Sequence, residues 1–269
     1  MKVQSLKDMD LQAIIDKIQI LKSQISVCTT SEAKTSYKCG ICCDEGGYAK
    51  RNNEGYDVYV VCNCFKQGRA ERIINSSQIT VEFRKKTFQT FNPAFLPDMV
   101  RNIHRCALQY ASNFKNIQHN RYNSIALLGQ SGSGKTHLLM AVSNQIIAMN
   151  IPILYFPFVE GFNEIKNDLD NLEKRINKLQ TIDVLFIDDL FKGRKEPTPF
   201  QMEQIFAVIN YRYMNNLPVL ISSEKTIEEI INFDEAIGSR IYEMTRDYRV
   251  EVLGKGINYR IRGDENEQR

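Results

Sequence analysis

Eight consecutive residues in the middle of the chain constrain its fold more than any other feature of the sequence. They are Gly129, Gln130, Ser131, Gly132, Ser133, Gly134, Lys135 and Thr136. They fit the pattern G-x-x-x-x-G-K-[ST] and stand between an apolar run at 125–128 and a helical pattern at 136–149. A strand, a glycine-rich turn and a helix in this order form a loop whose backbone N–H groups surround phosphates. The sequence therefore predicts a nucleotide-binding loop, since a turn that binds nothing would not require the complete pattern with these flanks.

The side chains expected to act in this site lie in two places along the chain. Lys135 is expected to reach the β- and γ-phosphates of ATP, and the hydroxyl of Thr136 to ligate Mg²⁺. Asp188 and Asp189 follow an apolar run at 184–187, and open α/β sheets bind ligands at the carboxyl ends of their strands. Asp188 is the expected magnesium partner, held through water, and Asp189 is the candidate to orient or activate the attacking water. The alternative for such an acidic pair is a solvated turn.

Strand and helix patterns alternate from about residue 100 onward. The predicted strands are 125–128, 153–156, 184–187 and 219–222, and the predicted helices are 101–113, 136–149, 160–179, 198–215, 226 onward and 235–244. Residues 249–253 and 257–261 are expected to form a hairpin through Gly254-Lys255-Gly256. This alternation predicts an α/β fold with a three-layer, mostly parallel sheet of the P-loop type. We divide the chain into an N-terminal unit (1–68), a linker (69–100), a nucleotide-binding domain (101–263) and a polar tail (264–269).

Four of the seven cysteines form two close pairs in the N-terminal unit, Cys39-x-x-Cys42 and Cys62-x-Cys64. Four thiolates on two turns suit tetrahedral Zn²⁺, and this glycine-rich stretch has too little apolar material to fold without such a ligand. Cys43 is an alternative to Cys42, and an iron–sulfur cluster or free surface thiols are alternatives to zinc. The start of the chain lacks the apolar stretch of a secretory signal, which favours thiols in a reducing compartment over a disulfide framework.

Charge and hydropathy exclude two classes of protein. Lys and Arg total 35 against 32 Asp and Glu, which excludes a histone-like polycation but leaves room for a local basic face. No apolar run reaches the roughly 20 residues that span a bilayer, so we expect a cytoplasmic protein with no membrane partner. An amphipathic helix predicted at 6–27 either docks on its own domain or binds a partner.

Several basic and aromatic residues are candidates for contact with nucleic acid. Phe83 and Phe88 alternate with basic residues, so that the basic side chains could follow a phosphate backbone and the aromatic rings could stack on bases. The basic residues are Lys66, Arg69, Arg72, Arg84, Lys85 and Lys86. The other interpretation is that Phe88 and Phe91 pack against the adenine or the core. The helix end at Tyr211-Arg212-Tyr213 and the charged region 160–180 are further candidates, with the core and solvent as their respective alternatives.

Together these residues resemble the DnaC/DnaI-type replicative helicase loaders of the AAA+ ATPases, in their phage and Gram-positive form with a cysteine unit. The resemblance covers residues 37–262. It is carried by the two cysteine pairs, Thr87-Phe88 with Phe91, the phosphate loop, Asp188-Asp189-Leu190, Tyr211-Arg212, Ile221-Ser222-Ser223 and Gly238-Ser239-Arg240. It implies an ATPase, slow and stimulated by DNA or a partner, that self-associates with ATP and places the replicative DNA helicase on single-stranded DNA. By the same resemblance the N-terminal unit docks on the helicase, and Arg240 is the arginine finger that reaches a neighbouring subunit's γ-phosphate.

The sequence departs from that family in two places. The family carries Asn at the end of the fourth strand, where this chain has Ser222, Ser223 and Glu224; an ionised Glu224 cannot donate a hydrogen bond to phosphate, so one of the serines is expected to serve. No helical lid fits after residue 253, and Arg246 and Arg249 are the candidates to replace its arginine. An IstB-like transposition helper ATPase and a non-hydrolysing, ATP-dependent adaptor are the alternative functions.

Overall fold

A computed structural model describes residues 37, 39–52, 55–62, 64, 77–92, 97–193, 196–254 and 257–259. By its internal contacts the chain divides into two compact units, 1–69 and 70–269. The helix predicted at 6–27, the first basic residues of the linker and the tail 264–269 lie outside the described residues. Among the helices that are described, none is both long and apolar enough to cross a membrane.

The first unit contains one antiparallel hairpin and the four paired cysteines. Strand β1 (Gly47–Arg51) pairs with β2 (Asp57–Val61), and Gly47 lies opposite Val61. Apart from glycines, the only buried residues among those described in this unit are Cys42 and Cys62. The cysteine sulfurs therefore take the place that an apolar core has in a larger domain.

The second unit is built on a five-stranded parallel sheet. Its strands are β3 (Ile125–Gly129), β4 (Ile153–Pro157), β5 (Val184–Asp188), β6 (Val219–Ser223) and β7 (Arg249–Val252). They lie in the order β4-β5-β6-β3-β7, and each neighbouring pair is parallel. Strand β6 therefore separates the strand that precedes the phosphate loop from the strand that ends in Asp188. The carboxyl ends of all five strands meet at one edge of the sheet.

Helices cover both faces of this sheet. They are α1 (Val81–Arg84), α2 (Asp98–Ile117), α3 (Lys135–Ala148), α4 (Phe158–Lys166), α5 (Leu172–Thr181), α6 (Pro199–Met214), α7 (Ile227–Phe233) and α8 (Glu235–Met244). Alternate residues of each strand enter different cores, because side chains of a strand point to opposite faces: Ile125 and Leu127 pack with α2 and α3, whereas Ala126 and Leu128 pack with the remaining larger helices. The predicted three-layer α/β fold is confirmed.

Residues 77–92, which we call the strap, pack on the nucleotide-binding side of the second unit. The carbonyl of Ser77 accepts a hydrogen bond from the N–H of Tyr155 on the edge strand β4, at 2.8 Å. The side-chain amide of Asn144 on α3 donates to the carbonyls of Phe83, Arg84 and Lys86. The strap is thus bound both to the edge of the sheet and to the helix that follows the phosphate loop.

Two predicted elements differ from the structure. The prediction of a hairpin after residue 249 is wrong, because β7 joins the sheet parallel to β3. The described residues 257–259 form no strand. They lie on the phosphate loop, where the N–H of Tyr259 donates to Gly132 O at 2.9 Å. The charged region 160–179 is two helices joined by a short 3-10 turn, Leu169–Asn171. An alternating apolar strand fits a parallel or an antiparallel neighbour equally well, which is why the pattern did not distinguish them.

Candidate functional site

The phosphate loop has the backbone conformation that its glycines permit. Gly129, Gly132 and Gly134 all have positive φ angles, 98°, 75° and 89°, which side chains other than glycine rarely adopt. A larger residue would also collide with its neighbours at two of these positions. A Cβ at Gly134 would lie 2.5 Å from the ring of Phe91, and a Cβ at Gly129 would lie 2.3 Å from Val252 O. Helix α3 starts directly after Gly134, so its first N–H groups lie at the loop.

Lys135 is a largely buried cation inside this loop. Its ammonium donates to the carbonyls of Gly129 and Gln130, both at 2.7 Å. Burial lowers the pKa of Lys135 to about 8, and the carboxylates of Asp189 and Glu224 act in the opposite direction. The loop therefore holds a cation that is close to its backbone and poorly solvated, which strengthens its attraction for an anion.

Asp188 is buried and receives three hydroxyl groups. Thr136 Oγ1 donates to its Oδ1 at 2.8 Å, Ser222 donates to the same oxygen, and Tyr155 OH donates to Oδ2 at 3.0 Å. Burial raises the pKa of Asp188 above its usual range, and the three hydroxyl groups oppose that rise. The two residues predicted to hold magnesium, Thr136 and Asp188, are thus in direct contact although 52 positions apart in the sequence.

Asp189 belongs to a separate charged group at the mouth of the site. It has a positive φ of 56°, and its Oδ2 is paired with Lys192 Nζ at 2.8 Å. The same ammonium lies 3.2 Å from Glu224 Oε1. Burial alone would raise the pKa of Glu224, but Lys192 and the hydroxyl of Ser131 bring this pKa below the usual range.

These residues line a cavity of about 410 Å³. Its polar lining includes the phosphate loop (residues 131–136), Asp189, Lys192 and Glu224, together with Lys86, Thr90, Asn92 and His137, and its apolar lining includes Phe83, Phe91, Val100 and Ile257. Phe91 stacks on His104 with ring centroids 5.4 Å apart, whereas Phe88 is buried in the core beside the same histidine. Of the two aromatic residues singled out in the sequence, Phe91 therefore faces the cavity and Phe88 packs in the core.

The predicted arginines lie elsewhere. Arg240 on α8 donates to Asn210 Oδ1 at 3.0 Å and to Ala236 O at 2.7 Å, and it does not line the cavity of its own chain. Arg249 pairs in register with Ala126, at the opposite end of β3 from the phosphate loop. Arg246 stacks on Tyr122, and neither it nor Arg249 reaches the cavity lining.

Arg212 is part of the core. It is fully buried, and its guanidinium donates to backbone carbonyls at the end of α5 and the starts of β5 and β6, which are those of Leu179, Gln180, Ile182, Asp183 and Pro218. Carbonyls at a helix C-terminus carry partial negative charge that favours a cation. This arginine joins three elements and is not available to nucleic acid.

The first unit brings its four paired cysteines together. The Sγ atoms of Cys39, Cys42, Cys62 and Cys64 all lie within 4.8 Å of one another, and Cys43 is not part of the group. Backbone N–H groups of Cys42 and Ile41 lower the pKa of Cys39 to about 6, which favours the thiolate. Four sulfurs at this spacing could hold one tetrahedral metal ion, as the sequence predicted.

Phe83, which the sequence offered for stacking on the bases of a nucleic acid, lines the cavity. Sequence reasoning missed other residues of the site: Tyr155 binds Asp188, Lys192 pairs with Asp189, and Tyr259 lines the cavity. None of them belongs to a local motif, and each is brought to the site by folding. A tyrosine within an apolar strand was the one available signal, because a buried hydroxyl requires a partner.

Comparison with known proteins was informative at the level of sequence. The family described as the bacterial DnaA ATPase domain matches residues 84–245. The phage-like element PBSX protein XkdC of Bacillus subtilis (strain 168) is 42% identical over 260 residues, which are 94% of this chain and 97% of that protein.

Solved structures show the same fold at lower identity. The DnaC helicase loader superposes with a TM-score of 0.54 at 20% identity, over 65% of this chain and the whole of that one. The replication initiator DnaA bound to AMPPCP and single-stranded DNA superposes with a TM-score of 0.53 at 18% identity; the match covers 71% of this chain and 56% of the other.

Proposed function

Because the chain belongs to the family of bacterial DnaA ATPase domains, we propose that it binds and hydrolyses ATP and loads a replicative DNA helicase onto single-stranded DNA. The observation that carries the ATP site is the contact between Thr136 and Asp188 at the end of the phosphate loop. It joins the two motifs that the sequence contains separately. The loader role is supported by the likeness to the DnaC helicase loader and by the relationship to XkdC, a protein of a phage-like element.

Each residue of the site has a defined task in this proposal. The backbone N–H groups of residues 129–136 and the ammonium of Lys135 bind the phosphates, and the apolar lining around Phe91 receives the base. Magnesium, when bound with the nucleotide, offsets phosphate charge. Thr136 and Asp188 hold it, Asp188 through water. Asp189 orients or activates the attacking water from the cavity wall.

The remaining assignments concern partners. We assign zinc to the cysteine cluster and the helicase contact to the unit that contains it. We assign Arg240 to the active site of a neighbouring subunit in an ATP-bound assembly, since its position on α8 leaves it outside its own cavity. Single-stranded DNA is the proposed nucleic-acid partner, and the described charged residues Lys166, Lys174, Arg175 and Lys178 are candidates for that contact.

Replacement of Lys135 tests the proposal. Lys135→Ala removes the cation from the phosphate loop, and we expect ATP affinity to fall on the order of a hundredfold, as for the loss of two charge-assisted contacts. Nucleotide affinity is measured by calorimetry on the folded variant. Retention of a purified replicative DNA helicase, with and without ATP, is measured on the immobilised protein.

The matched control is Lys115→Ala, an exposed lysine of α2 outside the cavity, which should bind ATP as the wild type does. The wild type should retain helicase in the presence of ATP, and Lys135→Ala should not. Unchanged ATP affinity in folded Lys135→Ala would contradict the nucleotide site. Equal helicase binding with and without ATP, or none at all, would contradict the loader role.

A further inference from the structure

The end of β6 supplies no free hydroxyl to a terminal phosphate in the described site. Ser222 donates to Asp188 and accepts from the N–H of Asp189. Ser223 donates to Leu190 O at 2.6 Å and accepts from the N–H of Lys225. Both serines therefore hold the loop after β5 against β6, which is a structural task. Glu224 faces the cavity but, as a carboxylate, can only accept.

The side chain of Lys192 enters the same cavity as Glu224 from the loop after β5. The loop after β5 turns back sharply, with positive φ angles at Asp189, Phe191 and Gly193. Phe191 is buried, with its ring 5.5 Å from those of Phe158 and Phe233. Because the buried ring of Phe191 fixes the backbone beside it, the fold directs the side chain of Lys192 into the cavity.

The ammonium of Lys192 is positioned with a donor to spare. Two acceptors are recorded for it in the described part of the chain, Asp189 Oδ2 at 2.8 Å and Glu224 Oε1 at 3.2 Å. An ammonium carries three N–H donors. Glu224 and Ser131 of the phosphate loop line the same cavity, so this ammonium is paired with one carboxylate of the loop after β5 and one at the end of β6.

From this arrangement we propose that Lys192 reads the terminal phosphate of the bound nucleotide and so distinguishes a nucleoside triphosphate from a diphosphate. The inference rests on the proposed ATP site. Lys192 replaces, from the loop after β5, the donor that β6 lacks. Because it also pairs with Asp189, arrival of the γ-phosphate draws the ammonium from that carboxylate and leaves Asp189 to orient water. A diphosphate has no group at this position, and Lys192 then stays paired.

The test is the ratio of ATP to ADP affinity, which a residue with only a structural role would leave unchanged. We expect Lys192→Met to weaken ATP binding about tenfold to a hundredfold, as for one charge-assisted hydrogen bond, and to leave ADP binding within about twofold. The control is Lys225→Met, a neighbouring lysine paired with Glu229 outside the cavity, which should leave both affinities as they are. An equal loss of ATP and ADP affinity in Lys192→Met would overturn the proposal.

A second variant separates attraction by Lys192 from repulsion by Glu224, one of the two carboxylates that lose their partner in Lys192→Met. In Lys192→Met/Glu224→Gln the charge of Glu224 is also gone, and we expect selectivity for ATP to remain lost. If the double variant recovers the wild-type ratio, repulsion explains the effect and the proposal is wrong. Lys135→Ala, measured beside these variants, should weaken both nucleotides. If Lys135→Ala weakens the binding of neither nucleotide, the proposed ATP site is wrong. If Lys135→Ala weakens both while Lys192→Met keeps the wild-type ratio of ATP to ADP affinity, only the role of Lys192 is wrong.

Discussion

At the scale of residues, the site depends on how hydroxyl groups are distributed around Asp188. A buried carboxylate is costly unless hydrogen bonds satisfy it, and here three hydroxyl groups from β4, α3 and β6 do so. Only Thr136 belongs to the motif that the sequence analysis used. Tyr155 is the member whose hydroxyl can be removed without altering either the phosphate loop or the loop after β5.

We expect Tyr155→Phe to weaken the apparent binding of magnesium during ATP hydrolysis. Loss of a hydrogen bond to a charged group should raise the half-saturating Mg²⁺ concentration on the order of tenfold. Burial already raises the pKa of Asp188, and the tyrosine hydroxyl opposes that rise. Its removal therefore raises this pKa further, and because the ionised carboxylate is the form required, activity should be lost at a higher pH as the solution is acidified.

The control for Tyr155 is Tyr110→Phe. Tyr110 is fully buried, and its hydroxyl donates to Asn123 O at 2.7 Å on the α2 side of the sheet. Tyr110→Phe removes a comparable buried hydrogen bond from a residue that does not contact the site. Titration of ATP turnover with magnesium at several pH values compares the two variants, and identical magnesium and pH profiles would contradict the role given to Tyr155.

At the scale of elements, the strap connects the edge strand β4 to the helix that follows the phosphate loop. Asn144 binds three of its carbonyls, and His137 contacts Thr87 O at 3.0 Å. Since a carbonyl only accepts, this imidazole nitrogen carries the proton. The strap brings Phe83 and Phe91 to the cavity. Residues assigned from sequence to a linker thus contribute to the lining of the candidate nucleotide site.

The cysteine unit makes the clearest prediction about an element. With Cys42 and Cys62 as its only buried non-glycine residues among those described, the unit should need a metal to fold. We expect one zinc ion per chain by elemental analysis. Cys39→Ser should release the zinc and unfold this unit, as followed by proteolysis, while ATP affinity stays near that of the wild type because the sheet has its own core.

Cys106→Ser is the matched control, since this cysteine lies on α2 in the second unit and outside the cluster. It should retain zinc and a folded cysteine unit. If residues 37–64 of metal-free wild-type protein resist proteolysis as well as those of the metal-bound protein, the cluster is not a structural metal site. Iron in place of zinc would correct the metal and keep the site.

At the scale of the whole molecule, the separation of Arg240 from the cavity is the feature with functional consequence. Its guanidinium is fixed by Asn210 and by the carbonyl of Ala236 on the α6–α8 side of the sheet. A cation held there cannot stabilise charge in its own site. Under the proposed function it acts in an assembly and stabilises the transition state of a neighbour's ATP, a task in which a positioned arginine has a large effect on the rate.

Mixing of inactive variants tests this assignment. Arg240→Ala should bind ATP as the wild type does but not hydrolyse it, whereas Lys135→Ala should bind it on the order of a hundredfold more weakly. Together they should recover part of the activity, because the first chain binds ATP and the second donates its arginine. Arg246→Ala, an exposed arginine stacked on Tyr122, is the control and should remain active alone. If no mixing ratio restores turnover in a confirmed assembly, Arg240 does not act between subunits.

The sequence by itself determined the features that depend on local chemistry. The phosphate loop could be predicted because its positive φ angles favour glycine. The helix starts at Thr198 and Thr226 could be predicted because each has the capping partner three residues later that the structure confirms. The strands could be predicted because burial on both faces requires continuous apolar runs. The four cysteines were predicted to meet because their pair spacing suits one ion.

Only the tertiary structure decided how residues without a local pattern meet. Lys192 and Tyr155 gain their roles from strands that are neighbours in space, and Arg212, a candidate for DNA contact in the sequence, is a core residue because three elements direct their carbonyls at it. Strand β7 pairs parallel with β3 at the edge of the sheet, which its sequence pattern did not specify. Pairing of distant segments is set by the packing of whole faces, and a one-dimensional pattern records which face a residue takes but not which neighbour it meets.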